Sequence, residues 1–243
     1  MRIHRHLGSL ALWLAVPALA QAASSAPDPR SPGLSPRDRL STLIERVKLE
    51  QQQVKTLEAA FVQRQESTFL VKPEESHGVF SYQAPDMIRW EYESPRPITM
   101  LIDGKSMSTW YRDLGRVDQM KIGRYSEKIL KYLGASGSIE TLLQYFDVQL
   151  AMPNDPTAPY RLDMKPRFDR VSKRLRALTL WVDARQWVPS KLRYETPDGG
   201  VTEFSFQNLK VNSQLPGGRF HLDLPQGVQV RVIDLDRGTG TKP

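Results

Sequence analysis

The sequence predicts a mainly β chain, an α+β arrangement of one eleven-stranded antiparallel sheet with one amphipathic helix before it and one helical insertion within it. Three observations carry this reading. From Leu57 onward apolar residues alternate with polar ones and are cut at short intervals by Pro, Gly and Asp turn signals. Ahead of Leu57 the apolar spacing is helical, and between Arg124 and Phe146 it becomes helical again.

Met1 to His6 carries Arg2 and Arg5, Leu7 to Leu19 is an apolar run, and Ala18-Leu19-Ala20 and Ala20-Gln21-Ala22 place small residues where a signal peptidase cuts. This is the pattern of a cleavable secretory signal over residues 1–22. An uncleaved anchor would need about 20 apolar residues, more than this run supplies. Residues 23–37, rich in Ser, Pro and Ala, have no apolar face to bury and are expected to be a disordered linker. Residues 38–235 are expected to form one folded domain, and 236–243 a flexible tail. There is no cysteine, which removes disulfides, thiolate ligands, a cysteine nucleophile and a lipid-accepting cysteine together.

Ser35-Pro36 supplies an N-cap and a first turn, and Leu40, Leu43, Ile44 and Val47, extended by Val54, recur at helical spacing. Strands are expected over 57–69, 77–83, 87–93, 97–102, 106–111, 116–120, 145–152, 159–165, 173–182, 188–194 and 201–211. The wall from Gly78 to Trp110 is the clearest part: Phe80 and Tyr82 share a face, as do Trp90 and Tyr92, while Ala84-Pro85-Asp86, Ser94-Pro95 and Asp103-Gly104 make the turns. Phe61, Phe80, Tyr82, Trp90, Tyr92, Met100, Ile102 and Met107 are the candidates for an inner apolar face. Alternation says which residues share a face and leaves open which face is inner. In the insertion, Ile129, Leu130 and Leu133 fall on one helical face and Ile139, Leu142, Leu143 and Phe146 on another, with Gly134 and Gly137 between them. Two short amphipathic helices there form either a movable lid or a plug of core.

The formal net charge is +7, and without Arg2 and Arg5 it is +5. Cations cluster from Lys165-Pro166-Arg167 to Lys173-Arg174-Leu175-Arg176. Export argues against a nucleic-acid partner, which leaves a lipid surface or a solvated hairpin turn. Catalysis has little material. Beyond the signal the only histidines are His77 and His221, His221 being placed in the closing strand, and no H-E-x-x-H, G-x-S-x-G, S-x-x-K or phosphate loop occurs. Glu91 and Glu93 lie on the strand face opposite Trp90 and Tyr92, which places them in solvent and not across a cleft. The expectation is a protein that is not an enzyme, with no metal and no cofactor.

The run G-x-F-x-Y-x-x-P-x-x-x-R-W-x-Y-x-x-P from Gly78, followed by Asp103-Gly104, resembles the LolA family of periplasmic lipoprotein carriers. Leu57-x-x-x-Phe61-x-Gln63 resembles that family's opening strand, and Phe220-x-Leu222-x-x-Pro225-x-Gly227-Val228-x-Val230 its closing segment, so the likeness covers about Leu40 to Val232. It implies an incomplete β-barrel with a helical lid, the eight inner-face residues binding acyl chains and Ile129, Leu130, Leu133, Leu142, Leu143 and Phe146 forming the lid. The implied activity is carriage of lipoproteins by a monomer, from an inner-membrane ABC-type exporter to an outer-membrane acceptor. Three alternatives stay open: carriage of another envelope lipid or glycolipid, an RseB-like lipoprotein-sensing module, and an esterase or glycosidase. One position departs from the family, which commonly has an Arg before the turn Pro as a latch for the lid; here it is Ala84.

Overall fold

In the computed structural model, which describes residues 26–68, 70–122 and 143–233, helix α1 spans Pro36–Gln53. The Ser35 hydroxyl caps it by accepting from the Asp38 N–H at 3.2 Å. Leu43 and Val47, one turn apart, are fully buried, and Leu40 and Ile44 widen the stripe. Asn212 ties the end of the helix to the sheet: its side-chain oxygen accepts from the Lys55 N–H at 2.6 Å and its amide donates to the Gln53 carbonyl at 3.0 Å.

Twelve strands follow: β1 Thr56–Glu66, β2 Glu74–Gln83, β3 Met87–Ser94, β4 Ile98–Asp103, β5 Ser106–Tyr111, β6 Arg116–Lys121, β7 Phe146–Ala151, β8 Tyr160–Pro166, β9 Ala177–Val182, β10 Pro189–Glu195, β11 Val201–Val211 and β12 Gln229–Ile233. They make one sheet in the order β12-β6-β5-β4-β3-β2-β1-β11-β10-β9-β8-β7, antiparallel except for the β12–β6 pair. The two ends of the sheet, β12 and β7, do not pair, so the sheet stays open. Antiparallel alternation gathers the β1–β2, β3–β4, β5–β6, β8–β9 and β10–β11 connections at one rim, here the upper rim. The β2–β3, β4–β5, β7–β8 and β9–β10 connections lie at the lower rim.

Eleven of these strands stand where alternation put them, and the twelfth is an addition. It is five residues long and mostly exposed; the alternation Val228-x-Val230-x-Val232 was visible in the sequence, but its parallel pairing with a strand more than a hundred residues away was not. Residues 173–176 are not strand: a short helix α2, Asp169–Ser172, and its following turn occupy that stretch before β9 begins at Ala177. Within the expected linker, Pro29 is fully buried and accepts from the Arg39 guanidinium at 2.7 Å. Arg30 donates to the Pro156 carbonyl at 2.7 Å and lies over the Tyr160 ring. Residues 1–22 and 236–243 lie outside the described residues, among which no helix is long and apolar enough to cross a membrane.

Ring contacts show the sheet to be strongly curved. Trp90 on β3 meets Phe204 on β11 at 5.4 Å between centroids, although three strand spacings, about 14 Å in a flat sheet, separate their backbones. The concave face carries two apolar clusters. In the first, Leu43 and Val47 of α1 pack on Phe146, Leu162, Met164, Leu178, Leu180 and Val182 of β7 to β9, with Tyr160 stacked on Trp187 at 5.6 Å. The second, described next, contains no residue of α1.

Candidate functional site

Phe61 on β1 sits at the centre of the second cluster and is 1% exposed. Its direct neighbour across the ladder is Gly78 on β2, and glycine is required there: a Cβ would fall 2.0 Å from the Glu91 carbonyl oxygen and 2.7 Å from the Phe61 ring. The ring lies on the bare β2 backbone as a result. Around it stand Trp90 at 5.2 Å, Tyr92 at 5.0 Å and Phe204 at 6.3 Å, while Phe80 meets Trp90 at 4.8 Å and Phe206 closes on Trp90 at 6.0 Å. Most of these contacts are edge-to-face or tilted, as ring quadrupoles favour. The strand order explains the gathering, since β11, β1, β2 and β3 are consecutive neighbours and the ladder pairs Phe206 with Phe61, Phe61 with Gly78 and Phe80 with Trp90.

All eight inner-face residues therefore lie on the concave side. Phe61, Phe80 and Ile102 are buried, with Tyr82, Trp90, Tyr92 and Met107 half-buried around them. Met100 is also half-buried and stands opposite Trp90 on β4, outside the cluster itself. Sequence reading left out Ile88, Met120, Ile122, Phe204 and Phe206, which belong to the cluster, and Leu57, which it used only for the family likeness. The Phe204-x-Phe206 alternation was visible, but the pairing of β11 with β1, across about 140 residues, was not.

Few polar groups stand among these rings; farther along the same face Asp118 of β6 pairs with Arg116 and with Arg231 of β12. The Tyr92 hydroxyl donates to Gln63 Oε1 at 2.7 Å, and burial pushes its pKa up to about 12. Tyr82 is also raised, by burial and by the charge of Asp86.

Of the expected lid residues, Ile129, Leu130, Leu133 and Leu142 lie outside the described residues, as do Gly134 and Gly137. Leu143 is half-buried and helical. Phe146 is corrected: it opens β7, is 5% exposed and packs in the cluster under α1, because the helical spacing that grouped it with Leu142 and Leu143 ends one residue earlier. Ala84 occupies the β2–β3 turn at the lower rim, where its N–H donates to the Lys55 carbonyl at 2.8 Å.

The convex face corrects a second expectation. Glu93 is exposed, whereas Glu91 is not free in solvent: its side chain is 15% exposed and paired with Arg89, Arg112 and Arg219. Burial alone would raise its pKa, but the hydrogen bonds and charges of Arg89 and Arg112 override it and hold the carboxyl at about 2. Arg89 also donates to the Arg219 and His221 carbonyls, and Arg219 to the Ser81 hydroxyl at 2.8 Å. These bonds clasp the segment after β11 onto the outside of the sheet. A cavity of about 340 Å³ beneath it, lined by Leu101, Val117, Leu222, Leu224 and Val230 among others, belongs to this convex side and not to the aromatic face. His221 lies in that segment and not in the closing strand, which is β12; it pairs with Asp223, and His77 pairs with Glu75. No three His, Asp or Glu side chains converge as metal ligands do among the described residues.

Comparison with known proteins agrees with this geometry. Outer-membrane lipoprotein carrier proteins of two Pseudomonas fluorescens strains are similar: that of strain Pf-5 is 26% identical over 197 residues, 80% of this chain and 88% of its own. That of strain Pf0-1 is 25% identical over 178 residues, 72% of this chain and 82% of its own. An uncharacterized conserved protein from Thermus thermophilus shares the fold, with a TM-score of 0.52 at 12% identity, covering 80% of this chain and 99% of that one. The family model described as outer membrane lipoprotein carrier protein LolA matches residues 52–223, and the chain belongs to the LolA family.

Proposed function

We infer that this protein is a periplasmic carrier that holds the acyl chains of lipoproteins against its concave aromatic face and moves them from the inner toward the outer membrane. The observation that supports this is the uneven cover of that face. α1 packs on the β7 to β9 half, whereas the β11-β1-β2-β3-β4-β5 half presents Trp90, Tyr92, Met100 and Met107 only half-buried and with few polar groups among them. Each methylene taken from water contributes about 0.8 kcal/mol, so a long acyl chain left in water costs on the order of 10 kcal/mol. Aromatic and methionine side chains suit such a ligand because they offer apolar contact without a fixed shape.

In this reading residues 1–22 direct export and are removed, an ABC-type exporter of the inner membrane loads the cargo, and an outer-membrane acceptor takes it. Loading energy comes from the exporter, so the chain itself requires no nucleotide or cofactor. Residues 124–145 act as the lid over loaded chains. The experiment is titration of the mature protein with an environment-sensitive fatty-acid probe. Saturable binding is expected, with Trp90→Glu and Met100→Glu each weakening it at least tenfold while the protein still unfolds cooperatively, since a carboxylate facing the chain must be desolvated. Both variants binding as well as wild type would remove the concave face from the role.

A further inference from the structure

We propose that the end of β8 and the β8–β9 connection, residues 165–176, form a docking element for an anionic phospholipid bilayer. It carries six cations, Lys165, Arg167, Arg170, Lys173, Arg174 and Arg176, against one carboxylate, Asp169. The carrier role proposed above uses none of them.

The structure makes this connection a built, two-sided element. Val171 and Leu175 point inward and pack on the cluster under α1. The chain is pinned by hydrogen bonds from the Arg167 N–H to the Tyr145 carbonyl at 2.9 Å and from the Arg176 N–H to the Glu195 carbonyl at 2.7 Å, and α2 fills the space between. Outward stand the cations and Phe168, a large apolar side chain 46% exposed. The Arg170 guanidinium lies 5.9 Å from the centre of the Phe168 ring and 5.7 Å from that of Tyr145, holding the exposed ring in place. Arg167 pairs with Asp147, whereas Lys165, Arg170, Lys173, Arg174 and Arg176 form no ion pair with any described residue.

An exposed aromatic ring ringed by unpaired cations matches the chemistry of a bilayer surface, where the ring enters the headgroup layer and the cations meet lipid phosphates. The same rim supports a plane over a pocketed protein partner. Leu114, 65% exposed in the β5–β6 connection, and Val71, wholly exposed in the β1–β2 connection, are the other large apolar residues that stand out there, each on a turn of its own. Isolated protruding residues on separate turns fit a flat fluid layer better than a complementary groove.

Co-sedimentation tests this with the mature protein and two sets of vesicles, pure phosphatidylcholine and phosphatidylcholine mixed with phosphatidylglycerol. Wild type is expected to partition onto the phosphatidylglycerol vesicles and to be released by added salt. At about fivefold per cation, Lys173→Gln with Arg174→Gln lowers the partition constant about thirtyfold. Phe168→Ser lowers it several-fold without changing its salt dependence. The control, Lys105→Gln with Lys121→Gln, removes the same charge from the lower rim and leaves partition nearly unchanged. Absence of partition, or an equal loss in the control, overturns the proposal. So does poly-L-glutamate capture that depends on Lys173 and Arg174 but not on Phe168, without vesicle binding, since that assigns the patch to an acidic polypeptide. Probe titration on the same samples keeps docking separate from cargo binding, and circular dichroism confirms that each variant is folded.

Discussion

Gly78 and Glu91 show how single residues set the two faces of this sheet. Gly78 is the absent side chain that lets Phe61 lie flat on β2, so Gly78→Ala must displace a backbone carbonyl 2.0 Å away as well as the ring. Overpacking of this kind costs typically 1–3 kcal/mol, and the backbone clash puts the expected loss near ~3 kcal/mol, measured by urea unfolding. Glu91 works on the other face. Its folded-state pKa of about 2 lies below the ordinary 4.5, so its contribution is complete above about pH 4.5 and is lost as the pH falls toward 2. Glu91→Gln is expected to lower stability at neutral pH by about 2 kcal/mol, because it leaves Arg89, Arg112 and Arg219 uncompensated, and to flatten the pH dependence between about 2 and 4.5. A variant whose unfolding midpoint falls with acid as steeply as wild type would show that other carboxylates carry the effect.

Elements show where periodicity was a sufficient guide and where it was not. Alternation located eleven strands because most of them bury one face more than the other, and helical spacing located α1 through Leu40, Leu43, Ile44 and Val47. Spacing misled at Phe146, where a helical pattern runs directly into a strand with no breaker between them. The β2–β3 turn carries the departure from the family pattern, since Ala84 has no side-chain donor to offer a lid. If residues 124–145 form the proposed lid and a guanidinium at this turn reaches it, Ala84→Arg is expected to add a charge-assisted hydrogen bond of about 1.5–3 kcal/mol and to close the lid tenfold or more. Hydrogen exchange over residues 124–145 without ligand is the measurement, with slower exchange expected in the variant. Unchanged exchange and unchanged cargo transfer would mean that no latch acts at this position.

At the scale of the whole molecule, the proposed function divides stability and binding between different halves of one concave face. The cluster beneath α1 is closed core, and the aromatic cluster from β11 to β4 remains half-open. Leu43→Ala should therefore cost about 3 kcal/mol of stability through the cavity it leaves while the folded protein keeps its fatty-acid probe affinity. Met100→Glu, outside the cluster itself, should do the reverse, and parallel denaturation and probe titration of both variants will separate the two effects.

The sequence by itself determined the order and type of nearly all the elements, the one-faced character of each strand and the membership of Phe80, Tyr82, Trp90 and Tyr92 in shared faces, because these follow from periods of a few residues. It left open which face is concave, that β11 lies beside β1 so that Phe204 and Phe206 join Phe61, that β12 extends the edge in parallel, and that Glu91 is held by an arginine from beyond β11. Those were decided only by pairings across tens to more than a hundred residues. Such contacts leave no local period in the chain, since each depends on where a distant strand comes to rest.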